Sequence, residues 1–587
     1  MNGSLRSPAL RRATQDIGSR AALVAFLIAM TPALARAGGL ELLPGGSRAV
    51  MRGGAVAARP EDPMVMMHNP AGLAALDGDR IMLNIDVTLH SMCFDPYGYY
   101  GWGVYQEGDS EFGDPLEVEL DDDGNPIIGA TYATTPLPEM CNSADVLPQP
   151  QMAWSGELSE DLTLGIGFVA PTIVPGMRFG GSDGTISIDG VAFPSPTRYQ
   201  VIEQKIDFAF APSFALAYEV SRSFALGVNL QIAMINARTW AVQNSTSGTQ
   251  PSTDWLAEVR AEDYFIPALT FGALVRPTKS LTIGGAFRWV DGLEGSGDVT
   301  YETNTFHRGA TSGPVPFEND SVDLEGIEVG LPWAFTLGVR YAGLLPGGET
   351  WPPKEGAQDD PMTTELWDIE LDATYNLGAA ADENRVKPGD DVLIISRVAG
   401  GGTALVPTEE IEEITLDRHQ LDSFAVRLGG SYSIVPRTMQ IHAGGFFESR
   451  GVEASYASID SFAFARVGVG AGVMFRIDSV DLFAAYGHIF QETLEVVSPQ
   501  HQNVEEHDDD DVTSGFDKRV GGSFGSLGTR EGGHVLEDPA EPSKGDATAK
   551  LQQASALPSP ARPDRVVNAG KYTASFDIIS VGVQYRY

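Results

Sequence analysis

Cysteine is nearly absent. Cys93 and Cys141 are the only two in 587 residues. Positive charge is scarce as well, with 39 Lys and Arg against 79 Asp and Glu, a formal net charge of -40. That balance excludes nucleic acid as a partner, because phosphates require Lys and Arg. Long apolar runs are missing too. After residue 37 there is no stretch of about eighteen apolar residues, so the remaining chain crosses no membrane as a helix. Catalytic signatures are also lacking. No H-E-x-x-H occurs, and the nine His share no ligand-like spacing. No enzyme activity, cofactor or metal site is therefore expected.

The N-terminus carries an export signal. Arg6, Arg11, Arg12 and Arg20 precede the apolar run "AALVAFLIAM" (21–30), and Ala35-Arg36-Ala37 supplies a small-x-small cleavage site. This order reads as a secretory signal peptide over 1–37 rather than a membrane anchor, since Pro32 and Arg36 end the run. An exported chain without a spanning helix is either soluble or a β-barrel.

Period-2 alternation favours the barrel. In "DRIMLNIDVTLH" (79–90), Ile81, Leu83, Ile85, Val87 and Leu89 share one face, and Arg80, Asn84, Asp86, Thr88 and His90 share the other. At the C-terminus Ile579, Val581, Val583, Tyr585 and Tyr587 alternate with Ser580, Gly582, Gln584 and Arg586. A chain ending on an aromatic residue in this way resembles the last strand of bacterial outer-membrane barrels, which the barrel-insertion machinery reads. The same alternation places strands near 150–158, 162–170, 199–219, 223–240, 257–276, 281–301, 322–342, 364–378, 420–434, 439–450, 461–476 and 480–496. With the two ends this makes about fourteen, an even number that returns both termini to the periplasm.

The connections follow the same rule. Tight turns at 159–161, 220–222, 277–280, 435–438 and 477–479 alternate with longer linkers. One linker, 343–363, is long on the short side, so either a strand is misplaced or that turn carries an insertion. The expected fold is an all-β transmembrane antiparallel barrel over 79–587, with long external loops near 91–149, 171–198, 379–419 and 497–572. Lipid cannot hydrogen-bond a backbone, so every strand must pair and the sheet must close. Trp240, Trp289, Trp333 and Tyr341 lie near strand ends, where aromatic girdles form; barrel filling or loop packing is the alternative.

Acid concentrates in the external loops, in "VELDDDGNP" (118–126) and "EEHDDDDV" (505–512). Neither run has the spacing of a Ca²⁺ loop, and solvation is the plain reading against cation binding. Cys93 and Cys141 fall in the first long loop, where an oxidising compartment favours a disulfide over two free thiols.

Residues 38–78 are rich in glycine, precede the first strand and are too short for a domain. "PAGLAAL" follows Asn69, a good N-cap, with Pro70 at the first helical position. This segment resembles the start of the FadL-type outer-membrane transporters. Gly45, Arg48, Ala49, Gly53, Gly54, Ala55, Ala57, Asp62 and the run Asn69-Pro70-Ala71-Gly72-Leu73 carry the likeness. "GIGFVAPTIVPG" (165–176) and the last strand add to it.

The resemblance implies several things. Residues 38–78 would form a lumenal plug, with Gly53, Gly54, Asn69, Pro70, Ala71 and Gly72 as its motif. A hydrophobic small molecule, a long-chain fatty acid or an aromatic hydrocarbon, would be caught by external loops and bound in the lumen. It would leave sideways through a gap at a kinked third strand. Pro171 and Pro175 either make that kink or merely open the loop 171–198. Arg178, Arg198, Arg238 and Arg288 are candidate partners for a cargo carboxylate. Outer-membrane lipid and lipopolysaccharide would surround the wall. The competing function is a structural or surface-interaction barrel whose acidic loops bind cations or a partner.

Overall fold

The computed structural model describes residues 45–96, 137–146, 148–169, 176–182, 184–188, 190–198, 200–243, 255–303, 321–346, 360–378, 383–388, 414–417, 420–459, 463–497 and 570–587, and short strand pieces at 119–120, 126–127, 393–397, 403–407 and 534–535. The signal-peptide region, most of both acidic runs, Pro171 and Pro175 lie outside these residues.

One antiparallel sheet of 22 strand pieces closes into a barrel of fourteen staves. They are β1 (Arg80–Pro96), β2 (Pro148–Ser159), β3 (Leu162–Val169, resuming at Gly176–Arg178), β4 (Glu203–Ser221) and β5 (Phe224–Gln243). β6 (Trp255–Val275) follows, then β7 (Leu281–Val290 and Leu293–Thr303), β8 (Ser321–Val329 and Trp333–Leu344) and β9 (Glu365–Leu377 and Glu383–Pro388). The ring continues through β10 (Ile414–Asp417 and Ser423–Val435), β11 (Met439–Glu448), β12 (Arg466–Ile477), β13 (Val480–Gln491 and Leu494–Val497) and β14 (Gly570–Arg586). Closure is a long ladder between β1 and β14, from Arg80 opposite Arg586 to Pro96 opposite Gly570.

The wall is inverted relative to a soluble protein. Large apolar side chains point outward, Leu83, Phe214, Leu337, Leu371, Val469 and Val581 among them, and Leu337 is 58% exposed. Polar ones point inward and are buried, such as Asn84, Asp372, Gln440, Asp481 and Gln584. A continuous outer apolar face of this kind requires lipid. On β14 the outward row runs Tyr585, Val583, Val581, Ile579 and then Asp577, which accepts from the Tyr486 hydroxyl at 2.5 Å and lies 2.7 Å from His488 Nδ1. From Tyr585 to Asp577 a tilted strand climbs roughly 20 Å, close to the height of the apolar band in such barrels.

The tight turns all lie at one end of the barrel. Arg437 and Asp478 hold the left-handed conformation there, with φ of 70° and 50°. The strands on either side of the exceptional linker, β8 and β9, pair directly with each other, so neither is misplaced. The β8–β9 turn carries an insertion that ends in a short helix, Pro361–Thr364, capped by the Asp360 carboxylate accepting from Met362 N at 3.0 Å.

Other boundaries differ from the sequence reading. β1 extends past 90 to Pro96 because its ladder with β14 continues. β4 and β12 start later, at Glu203 and Arg466, because Ile202 and Phe464 are buried instead of joining the wall. The linker 379–419, read as loop, contains wall pieces of β9 and β10 and a separate hairpin of Leu393–Arg397 with Thr403–Pro407. Tyr341 and Trp333 do face outward, but Trp240 packs on the buried cluster of Ile202, Val242 and Leu256.

Candidate functional site

Inside the ring, residues 45–76 form α1 (Ser47–Met51), α2 (Val65–His68) and a 3-10 turn (Pro70–Ala75). Asn69 is fully buried. Its Oδ1 accepts from Ala71 N at 3.3 Å, and its amide nitrogen donates to Ala57 O at 2.8 Å and to Ala273 O of β6 at 3.1 Å. The residue therefore joins the turn, the preceding loop and the wall. Gly54 closes α1 with a 2.8 Å bond from its N–H to Ala49 O, at φ 82°, where a side chain would be strained. Gly53 lies against the backbone of Gly444 and Gly445, and Gly72 against Val65. Pro70 and Ala71 lie against Gly227 of β5.

Lumen-facing glycines of the wall receive this segment. A methyl group at Gly284 would overlap the Ala57 carbonyl oxygen, one at Gly444 the Arg52 oxygen, and one at Gly470 the Val50 oxygen. Glycine is used here because two backbones touch. Sequence reading noted the abundance of glycine without assigning it this role. The available signal was glycine on the polar face of successive strands.

An ionic anchor fixes the segment to β9. In "DIELD" (368–372) the three carboxylates face inward and the two apolar residues face lipid. Arg52, with 0% exposure, reaches Asp368 and Glu370, both at 2.9 Å. Asp372 accepts from Val56 N at 2.8 Å and Ala57 N at 2.9 Å, and Glu370 from Ala58 N at 2.7 Å. Arg59 pairs with Asp368 and Glu61, and Arg340 of β8 pairs with Glu365 and Asp368. Burial pushes the Arg59 guanidinium down to about 9, against the pull of Asp368, so it remains charged at neutral pH. Sequence reading missed Arg52, Arg59 and all three carboxylates. Three acids on one lumenal face require basic partners, and that was the signal.

Among the described residues the pairing of β3 has a break beside the lumen. β3 pairs with β4 up to Val169 opposite Ala211, and again from Gly176 opposite Lys205. Between these two ladders lie 170–175, outside the described residues, and 206–210 on β4, which itself shifts register between Ile206 and Phe208. On the other side, β2 pairs with β3 only as far as Gln151 opposite Val169. Pro148 and Pro150 continue β2 with β1 as the sole partner among the described residues. Two prolines in alternate positions lack donors on one side of the strand, which suits an edge without a neighbour. Phe168 stacks on Phe210 at 5.3 Å, and Phe208 lies 6.2 Å from Phe210, so the break is bordered by aromatic rings.

Toward the loop end the lumen is apolar. Phe94, Phe464, Phe576 and Tyr572 are fully or almost fully buried, with Phe94 4.6 Å and Phe464 5.9 Å from the Tyr572 ring. Gln200 ties inturned segments together, its Oε1 accepting from Ile459 N at 2.9 Å and Tyr572 OH at 3.4 Å. Cys93 and Cys141 are joined by a disulfide opposite one another on β1 and the piece Met140–Cys141. Together with Glu139 they make the one grouping of metal-ligand types among the described residues, and the disulfide occupies both sulfurs.

The four candidate arginines do not converge. Arg178 pairs with Glu203 at 2.5 Å, and Arg238 with Asp207 at 2.5 Å beneath Trp240. Arg198 is buried and donates to Ser195 O at 3.2 Å. Arg288 sits on β7 opposite Thr270 and Ala334.

No protein-family model matches the chain, and neither does any curated protein. Among solved structures it is similar to a FadL homologue of Pseudomonas aeruginosa, at 13% identity over 94% of this chain and 100% of that one, with a TM-score of 0.59. It is also similar to the toluene transporter TodX of Pseudomonas putida, at 12% identity over 93% and 99%, with a TM-score of 0.51. A deltaS2 mutant of the TodX monoaromatic hydrocarbon channel gives 12% identity, 93% and 99% coverage and a TM-score of 0.52. At this identity the likeness establishes the fold, a FadL-type barrel.

Proposed function

We propose that the protein is an outer-membrane transporter for passive uptake of hydrophobic small molecules. Residues 1–37 are its signal peptide, 38–78 its lumenal plug and 79–587 its barrel, set in lipid and lipopolysaccharide. The barrel-insertion machinery reads the strand that ends at Tyr587. The observation that carries the reading is a lumen filled by a clamped segment, with Phe168, Phe208 and Phe210 beside the break in the described pairing of β3. Cargo enters through the external loops, meets the apolar cluster around Tyr572 and leaves sideways at the break. Lateral exit spares apolar cargo from water, avoiding a cost of roughly 25 cal/mol per Å² of exposed surface. That the similar TodX structures are a toluene transporter and a monoaromatic hydrocarbon channel supports the same reading.

The lumen chemistry favours uncharged cargo. Arg48, Arg52, Arg59, Arg340, Arg427 and Arg466 all face carboxylates of the protein itself. A fatty carboxylate would have to displace one of these acids, whereas a neutral hydrocarbon need displace none.

The test is uptake of labelled toluene and labelled laurate by cells with and without the protein, with barrel assembly checked by its heat-shifted migration. Faster uptake of toluene is expected. If an assembled barrel changes uptake of neither compound, the transport reading fails. If only laurate uptake rises, transport stands and the preference for uncharged cargo is wrong.

A further inference from the structure

The β8–β9 turn does something that a simple hairpin connection does not. Fourteen staves about 4.8 Å apart and tilted about 40° make a ring roughly 28 Å across. β9 and β14 stand five places apart around that ring, by way of β10, β11, β12 and β13. Asp360, just before β9, nonetheless pairs with Arg476 at the end of β12 and with Arg586 at the end of β14, the latter at 3.2 Å. The carboxylate spans this separation only if the end of the turn lies beneath the lumen.

The neighbouring contacts agree. Leu345 N donates to Thr364 O at 2.8 Å, which brings the long turn back to its own start. Arg437 N, in the β10–β11 turn, donates to Met362 O at 3.0 Å. Met362 is buried in the same apolar cluster as Met51 of the plug helix and Met474 of β12. Asp481 completes the clasp, 2.5 Å from Arg476 Nε and 3.5 Å from Arg586 Nε. Above it, Gln584 donates to Asp481 at 3.2 Å.

We infer that residues 360–364 are a periplasmic floor, a second closure beneath the plug, held shut by the Asp360–Arg476–Arg586 clasp. Asp360 acts here as a positioning residue. It keeps the bottom of the lumen sealed whatever the cargo, so that a plug loosened by cargo opens toward the wall and not toward the periplasm. The arrangement also explains why this turn alone is long at the short-turn end.

The two native cysteines are disulfide-bonded, so an introduced thiol reports alone among the described residues. Gln584→Cys and Gln440→Cys place single reporters on lumen-facing, buried positions near the floor. Each is treated with a membrane-impermeant maleimide in the purified full-length barrel, assembly being checked by heat-shifted migration. With Asp360 intact, labelling should be slow. Asp360→Asn should speed it severalfold at both positions, and Asp360→Glu should keep it slow. Equal rates with Asp360 and Asp360→Asn, or fast labelling with Asp360 intact, overturns the floor.

A second measurement separates floor from plug. Small-ion conductance through an Arg52→Gln barrel in planar bilayers should stay low and rise only when Asp360→Asn is added. Full opening in Arg52→Gln alone also overturns the floor as an independent closure. None of these readouts depends on cargo, so uptake can fail while the floor stands.

Discussion

The Arg52 guanidinium lies 2.9 Å from the Asp368 carboxylate in a position where both side chains have no exposed surface. The pair joins two parts of the chain 316 residues apart, the glycine-rich segment and the ninth stave. A buried ion pair gains little over a well-packed apolar pair, but removing one partner leaves the other uncompensated. Arg52→Ala strands Glu370 and weakens the hold on Asp368, which keeps Arg59 and Arg340. The expected cost is about 3–5 kcal/mol, concentrated on the docking of the segment. Denaturant unfolding in lipid measures the stability, and permeability to small polar antibiotics, taken in an Asp360→Asn background so that the floor does not mask it, measures the docking. Deleting 38–72 should raise that permeability too. No change in either variant would mean that the segment does not close the lumen.

Gly284 and Gly285 are neighbours on opposite faces of β7. At Gly284 a side chain meets the backbone of Ala57 and Ala58, while at Gly285 the nearest atom beyond its neighbours is Thr336 O at 3.9 Å. Gly284→Leu should overpack the interior and cost about 1–3 kcal/mol or more, since backbone cannot move aside as a side chain can. Gly285→Leu adds apolar surface on the lipid side and should be tolerated. Equal effects of the two on unfolding would remove the argument that wall glycines exist to receive the inner segment.

This pair also marks how far the sequence could be read. Alternation in 79–90 and 570–587 identified faces, and the inward position of Asp86 and Ser580 follows from it. Period two says which side a residue is on, not what lies opposite. The partners of Gly284, or of Asp368, belong to a segment hundreds of residues away, and no local pattern encodes that distance. Trp240 failed as a girdle residue for a related reason. β5 continues to Gln243, beyond the lipid band, so a residue near a strand end can pack on loops instead. The 343–363 linker was visible only as a violation of the turn rule, and the contacts of Asp360 supply its cause.

Acid should weaken the floor in a defined range. Burial raises the Asp360 carboxyl, but Arg476 and Arg586 outweigh it and hold the group below its ordinary value. A carboxylate depressed in this way contributes stability above its unfolded pKa of about 3.9 and loses it as pH falls through the lower folded value. Small-ion conductance of the Arg52→Gln barrel, measured in baths of decreasing pH, should be unaffected down to about pH 4 and should increase below it. In Asp360→Asn the acid-dependent step should be missing. An increase already complete near pH 6 would implicate a histidine instead.

Phe208 and Phe210 supply the last test, because they lie on β4 between its two described ladders with β3. If cargo passes there, it slides across the rings on its way to lipid. Phe208→Asp replaces about 1.5–3 kcal/mol of apolar contact with a charge that hydrocarbon avoids, which should slow passage at least about tenfold. Phe271 is equally lipid-exposed but lies on β6, away from the break, and Phe271→Asp controls for the general cost of a charge on the wall. Initial uptake rates should separate the two. The Phe208 variant should lose uptake in an assembled barrel, and the Phe271 variant should lose it only to the extent that less barrel assembles. A ratio near one after correction for assembled protein would place the exit elsewhere. Pro171 and Pro175 would then merely open the long loop 171–198, the plainer of their two meanings.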